Sequence, residues 1–262
     1  MNFIKTNDFN IIQPLRQELY DTFTTALDSM WESLYIGSST SYLIQVNTKT
    51  IGYCCIDNDK SLTQIYIKKP HLTRMQDAIT SLIDLKLIVS AKLSSIEPVG
   101  FNTCLIHASS VKNNTYCFQF ENDTPEQNTS VELTVATNED VEMIQSFYKT
   151  QVGFEDTFGY TENLVKRQEL FIVKNGSDFV GTGECRLSDS QPRYADVGVA
   201  IHSTFRRQGY ASQTLHVLAK KALTKHRKPI CSTTIDNIGS KKAIEKAGFH
   251  FSHSIFDLRF VS

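Results

Sequence analysis

The stretch Arg206-Arg207-Gln208-Gly209-Tyr210-Ala211 combines residue types suited to holding a pyrophosphate. It follows the strand-like run Val197–Ile201 and precedes a strongly helical pattern. At such a turn the first N–H groups of the helix lack partners, and the helix dipole adds partial positive charge. Gly209 and the small Ala211 let a ligand approach the backbone, and Arg206 adds fixed charge. Just upstream stand two carboxylates, groups able to take up a proton, Asp196 in the same run and Glu184 in Gly181-Thr182-Gly183-Glu184-Cys185. Alternation puts Asp196, Gly198, Ala200 and His202 on one face of the strand, opposite Val197, Val199 and Ile201. The glycines beside Glu184 read as open space around it. Asp196 is equally well a strand-start carboxylate that only accepts hydrogen bonds, and His202, a third candidate, is of a kind that is more often structural.

The elements that must position these groups follow from periodicity. Ala211, Leu215, Leu218, Ala219, Ala222 and Leu223 recur at helical spacing, and Pro229 marks the end. Ile230–Ile235 is a β-branched run, Asp236–Ser240 a turn, Lys241–Ala247 a short helix closed by Gly248, and Phe249–Phe260 a terminal strand. Leu170–Val173 and Phe179–Leu187 form a hairpin about Asn175-Gly176. An echo of this order occurs earlier. Tyr42–Val46 and Ile51–Ile56 flank a turn near Asn47-Thr48-Lys49, preceded by a helical segment Ile11–Trp31 and followed by a strand Gln64–Ile67 and a helix Met75–Leu87. The polar segment 122–130 reads as a linker between domains 1–121 and 131–262.

Arg-x-x-Gly-x-Ala, followed one helix and one strand later by Asn237, Ser240, Lys246, Gly248 and Phe249, resembles the GNAT N-acyltransferase superfamily, nearest the branch containing ribosomal-protein N-terminal acetyltransferases. The resemblance covers roughly residues 131–262. It implies an α/β (α+β) fold, here as tandem GNAT-like domains, each a mixed, mostly antiparallel sheet flanked by helices. It also implies acetyl-CoA as acyl donor, a primary amine, of a small molecule or a protein N-terminus, as acceptor, and a general base at the position of Asp196, with Glu184 the second candidate. Backbone groups of Val199 and Ile201 would pair with the pantetheine arm, Arg206, Arg207, Gln208, Gly209, Tyr210 and Ala211 would hold the pyrophosphate, and Asn237 and Ser240 would contact CoA. Ser240 can equally be a helix N-cap. Many relatives carry a Tyr seven residues after the Asn to protonate the leaving thiolate; here Ile244 stands there, leaving Tyr210, Tyr194 and Ser240 as unranked alternatives. In the first half, Lys68–Arg74 replaces the phosphate loop without any glycine, and Pro70 removes a donor. That half therefore reads as a GNAT-like domain that has lost its cofactor site and shapes the acceptor side, the alternative being an unrelated α+β domain with the same local order of elements. Phe147, Tyr148, Phe154, Phe158 and Tyr160 would flank the acceptor pocket and are as readily core. The competing reading is a CoA-binding regulatory or scaffold module without turnover.

Composition bounds the alternatives. The chain has 262 residues and a formal net charge of −1, with no basic block interleaved with aromatics, which argues against nucleic acid. Six cysteines without a Cys-x-x-Cys spacing argue for buried free thiols and no metal. The absence of an apolar leader or a spanning run argues for a cytoplasmic protein, off the membrane, as monomer or homodimer.

Overall fold

The computed structural model describes every residue of 1–262 except Asn122, Thr124, Thr157, Phe158, Val261 and Ser262. The chain opens with β1 (Asn2–Thr6), α1 (Phe9–Tyr20) and a single turn α2 (Ser29–Trp31) that runs into a π-helical turn, Glu32–Ile36. Then come β2 (Thr40–Val46), β3 (Lys49–Ile56), β4 (Ser61–Ile67), α3 (Met75–Asp84), β5 (Ser90–Ser94), α4 (Pro98–His107) and β6 (Ala108–Phe120). The remainder is β7 (Glu132–Val135), α5 (Val141–Phe147), α6 (Tyr160–Lys166), β8 (Leu170–Asn175), β9 (Asp178–Leu187), β10 (Tyr194–Ile201), α7 (Tyr210–Thr224), β11 (Lys228–Thr234), α8 (Ile238–Lys246) and β12 (Phe249–Phe260).

Two compact units result, Met1–Cys117 with Ser252–Ser262, and Phe118–Phe251. In the first, the strand order is β1-β2-β3-β4-β5-β12, antiparallel except for β4 beside β5. One face of its sheet buries Leu62, Ile65 and Ile67 with Ala78, Ile79 and Leu82 of α3. The other buries Tyr53 and Tyr66 with Ile12, Leu15 and Leu19 of α1. The β2–β3 turn forms at Asn47 and Thr48, both at positive φ, the hand that matches strand twist. The expected helix Ile11–Trp31 is in fact broken. Asp21 ends α1, and Asp28 starts α2 by accepting from the Trp31 N–H at 2.7 Å.

In the second unit the order is β11-β10-β9-β8-β7, with β10 and β11 parallel and the rest antiparallel. Helices α5 and α6 cover one face through Ile144, Phe147, Tyr148, Leu164 and Val165. Helix α7 covers the other, burying Leu215, Leu218, Ala219 and Ala222. Gly183 of β9 makes room for it, since a Cβ there would lie 2.9 Å from Leu218 Cδ1. Truncating a leucine in such a contact costs about 2–5 kcal/mol. Of segment 122–130, the described residues from Glu126 on are tied to this unit: Glu126 pairs with Lys220 at 3.0 Å, Gln127 Nε2 donates to Lys246 O, and Ser130 N donates to Gln213 Oε1.

Candidate active site

The phosphate-loop candidate starts where β10 ends. His202 caps a short 3-10 turn, Ser203–Phe205, its Nδ1 accepting from the Thr204 N–H, so it serves the turn. The backbone then turns left-handed at Arg207 (φ 64°) and again at Gly209 (φ 90°), where α7 begins. Alternation of hand aims successive N–H groups at one concavity, and the free N–H groups of the α7 first turn join them. The space above Gly209 is open: a Cβ there would find nothing nearer than Gln213 Nε2 at 3.7 Å. Arg206 is used differently from the expectation. Its Nε donates to Ile201 O at 3.1 Å and its terminal nitrogen to Gln151 O at 2.7 Å, so it braces the loop. Gln208 Nε2 donates to Thr204 O, while Tyr210 Oη accepts from Asn175 Nδ2 and is committed to the β8 hairpin.

Beside the loop, β10 loses its neighbour. It pairs with β9 as far as Ile201, but with β11 only from Tyr194 to Asp196. The His202 N–H bonds Val180 O on the β9 side, so by alternation the backbone groups of Val199 and Ile201 face the side β11 has left. An extended amide chain fits such an edge by strand addition. The Ile201 carbonyl is already shared with Arg206. On α8, Asn237 is the N-cap, its Oδ1 accepting from the Ser240 N–H at 3.1 Å; Ser240 is therefore the capped residue and not the cap.

One face of β9 and β10 carries the charged cluster. Register sets Arg186 opposite Asp196, Glu184 opposite Gly198 and Thr182 opposite Ala200. Asp196 is only 2% exposed and accepts from Arg186 at 2.9 Å; the same guanidinium lies 3.1 Å from Glu184 Oε2. Tyr148 donates to Glu184 Oε1 at 2.9 Å and Tyr160 to Oε2 at 2.7 Å. Burial, with the Glu184 charge adding to it, pushes both phenols well above the ordinary tyrosine range, so at neutral pH both are donors. The Glu184 side chain keeps 13% of its surface, more than Asp196. Its flanking glycines do not provide that opening, because Gly183 is spent on α7 and Gly181 on close approach to Ala200 O. The space comes from Gly198 across the strand, whose Cβ would stand 3.5 Å from Glu184 Oε2.

Tyr148 and Tyr160 were legible only as aromatics at helical spacing, and nothing in that pattern tells a hydroxyl aimed at Glu184 from a ring in the core. Phe154 packs edge-on against both, and Phe158 lies outside the described residues. Ile244 is buried, 1% exposed, and supplies no proton. Tyr194, half-buried, sits at the opposite end of β10 from the loop. All six cysteines are buried and none forms a disulfide. Among the described residues no helix is long and apolar enough to cross a membrane, and no group of three or more His, Cys, Asp or Glu could hold a metal ion.

Comparison with known proteins bears on the family and the fold. Residues 8–121 and 120–250 each match a family described as an acetyltransferase (GNAT) domain. An acetyltransferase of the GNAT family from Colwellia psychrerythraea superposes with a TM-score of 0.94 at 27% identity, over 100% of both chains. A GCN5-related N-acetyltransferase from Sphaerobacter thermophilus gives 0.68 at 15% identity, covering 98% of this chain and 95% of that one. A tandem GNAT protein from the clavulanic acid pathway gives 0.59 at 13%, covering 99% and 98%; these last two speak to fold alone. An uncharacterized N-acetyltransferase of Bacillus subtilis, YjdG, is 26% identical over 116 residues, 43% of this chain and 64% of that protein's length.

Proposed function

The chain belongs to the GNAT acetyltransferase family, and from that premise we propose that its second unit transfers an acetyl group directly from acetyl-CoA to a primary amine of a small molecule or a protein N-terminus. One observation carries the reading. A single strand, β10, presents an unpaired edge leading to an anion-binding loop, while Gly198 on its face leaves room above a partly exposed carboxylate, Glu184.

The parts divide as follows. Gln208 to Ala211 and the α7 N-terminus hold the pyrophosphate, with Arg206 bracing the loop. Val199 pairs with the pantetheine arm, and Asn237 shapes the second turn. Acetyl-CoA supplies the thioester carbonyl. An amine reaches the site mainly as ammonium and must lose a proton before it can attack. Glu184 accepts that proton as general base. Tyr148, Tyr160 and Arg186 orient its carboxylate, and Asp196 is a positioning residue that balances Arg186. The departing thiolate is a tolerable leaving group, since a thiol of ordinary pKa near ~8.5 takes its proton from water.

The test is thiol release across a panel of amines, with acetyl-CoA titrated calorimetrically, for wild type and Glu184→Gln. The expected result is unchanged acetyl-CoA affinity and a kcat lower by roughly 10²–10⁴-fold. Equal kcat would remove Glu184 from the reaction. A wild type that binds CoA and acetyl-CoA alike and turns over no amine would be a binding module.

A further inference from the structure

We propose that the first unit holds a second, separate binding site, and that its ligand is a free α-amino acid in zwitterionic form. The site is a cavity of about 350 Å³ at the starts of β4 and β5, walled by β12 and β6, with every lining residue in the first unit. It lies at the opposite end of β4 from the Lys68–Arg74 turn, so it is not the counterpart of the phosphate loop. The volume sits near the small end of the range for ligand pockets, roughly 300–1,000 Å³, and is too small for a CoA-sized molecule.

Its chemistry selects the class. Ser61, 1% exposed, contributes a buried hydroxyl with no hydrogen-bonding partner in the protein. Asp257 uses one carboxylate oxygen to accept from Asn114 Nδ2 at 2.9 Å, and its other oxygen is buried and unpartnered. Buried polar atoms are ordinarily satisfied, so these call for a donor from outside the chain. Lys92, opposite Asp257 in the ladder, acts on it through charge and not by a hydrogen bond, because Asp57 holds its ammonium at 2.9 Å. Lys112 and Arg259 line the cavity from exposed positions and can take an anion. Setting the lining Lys92 against its partner Asp57, which is not itself a lining residue, leaves two acids (Asp59 and Asp257) facing two bases (Lys112 and Arg259). A dianion or a polyamine leaves half of these charges unmatched. An ammonium against Asp257 and a carboxylate against Lys112 and Arg259 match both signs.

The experiment is calorimetric titration of the full chain with each standard amino acid in turn. Control arms use the corresponding amine lacking the carboxylate, the acid lacking the amine, and inorganic phosphate. The expected result is saturable binding of at least one amino acid with a Kd of about 1 mM or tighter. Both single-function analogues should bind at least roughly tenfold more weakly. Asp257→Asn, matched for thermal melt, and Lys112→Glu, at an exposed position, should each weaken it similarly. Glu184→Gln should leave it unchanged, which separates this site from the acceptor site. No saturable binding of any amino acid, phosphate binding in its place, or binding indifferent to both cavity variants would overturn the proposal.

Discussion

The two units share a register and differ in what stands on it. Gly52 lies opposite Ile67 in the first unit and Gly181 opposite Ile201 in the second. In each the Cβ position would fall 2.0 Å from a carbonyl oxygen, that of Tyr66 or of Ala200. Beyond the strand the same bond recurs, Lys68 N to Ile51 O at 2.8 Å and His202 N to Val180 O at 2.9 Å. Counting along from those glycines, Cys55 occupies the place of Glu184, and Gln64 the place of Gly198. The gap is filled as well, because Tyr53 donates to Gln64 Oε1 at 2.6 Å.

The slot differs too. In the first unit β4 and β5 part after Leu62 and Ala91, as β10 and β11 part after Asp196 and Ile230. There the space is taken by Glu97, 3% exposed, which accepts backbone hydrogen bonds from Ser94 and Ile65. Gly100 presses α4 on Ile65, its Cβ position 2.7 Å from Ile65 Cγ2. The scaffold therefore folds with neither a carboxylate at the Glu184 position nor an open slot, which fits the proposal that both serve a ligand in the second unit.

The largest effect that can break this comparison is expected at the loop. Gly209→Glu puts a side chain at φ 90° and a negative charge into the concavity, and should weaken acetyl-CoA binding by about 100-fold or more, roughly 2.7 kcal/mol. Arg74→Glu, at the corresponding place in the first unit, should leave the titration unchanged. If instead Arg74→Glu abolished binding, the donor site would belong to the wrong unit. A smaller effect is expected from Gly198→Gln, which gives the second unit the first unit's residue above Glu184. Turnover should fall about tenfold or more through loss of near-attack positioning, at constant acetyl-CoA affinity. Unchanged turnover would mean that the amine does not approach across Gly198.

A separate effect, on stability and not on activity, is one of pH. Burial raises the Glu97 carboxyl from 4.5 to about 8. Between those values the folded chain holds a proton that the unfolded chain has released. Its contribution is therefore full below about 4.5, is lost as pH rises through about 8, and is constant above that. Wild-type Tm should drop between pH 5 and pH 9 by more than that of Glu97→Gln. Parallel curves for the two proteins would refute the burial argument.

Much of this was legible in the chain. Both hairpins announce themselves by Asn-Thr and Asn-Gly turns, α7 by its apolar spacing, and the loop by Gly209, because each signal is local. The break after Asp21 was also local, carried by the Asp28 cap, but the apolar pattern on either side masked it. What stayed hidden depends on contacts between distant residues. Nothing near Glu184 in sequence indicates that Tyr148 and Tyr160 converge on it, that Arg186 ties it to Asp196, or that the room above it belongs to Gly198. Gly183 misled for the same reason, since its smallness answers to Leu218 on a helix still to come.

Strand β12 carries a consequence for how the protein is made. Its pairing with β5 sets Ser90 beside Arg259, so the first unit's sheet cannot close until Arg259 has left the ribosome. The second unit, Phe118–Phe251, is contiguous and emerges in full before the residues of that strand that pair with β5, Ile255–Arg259. Until then β5 waits with an unpaired backbone edge, the kind of surface that recruits stray strands. Synthesis thus runs from the N-terminus while completion of the fold runs the other way. The first unit spends longest exposed to aggregation, and it is the part for which a chaperone would matter most.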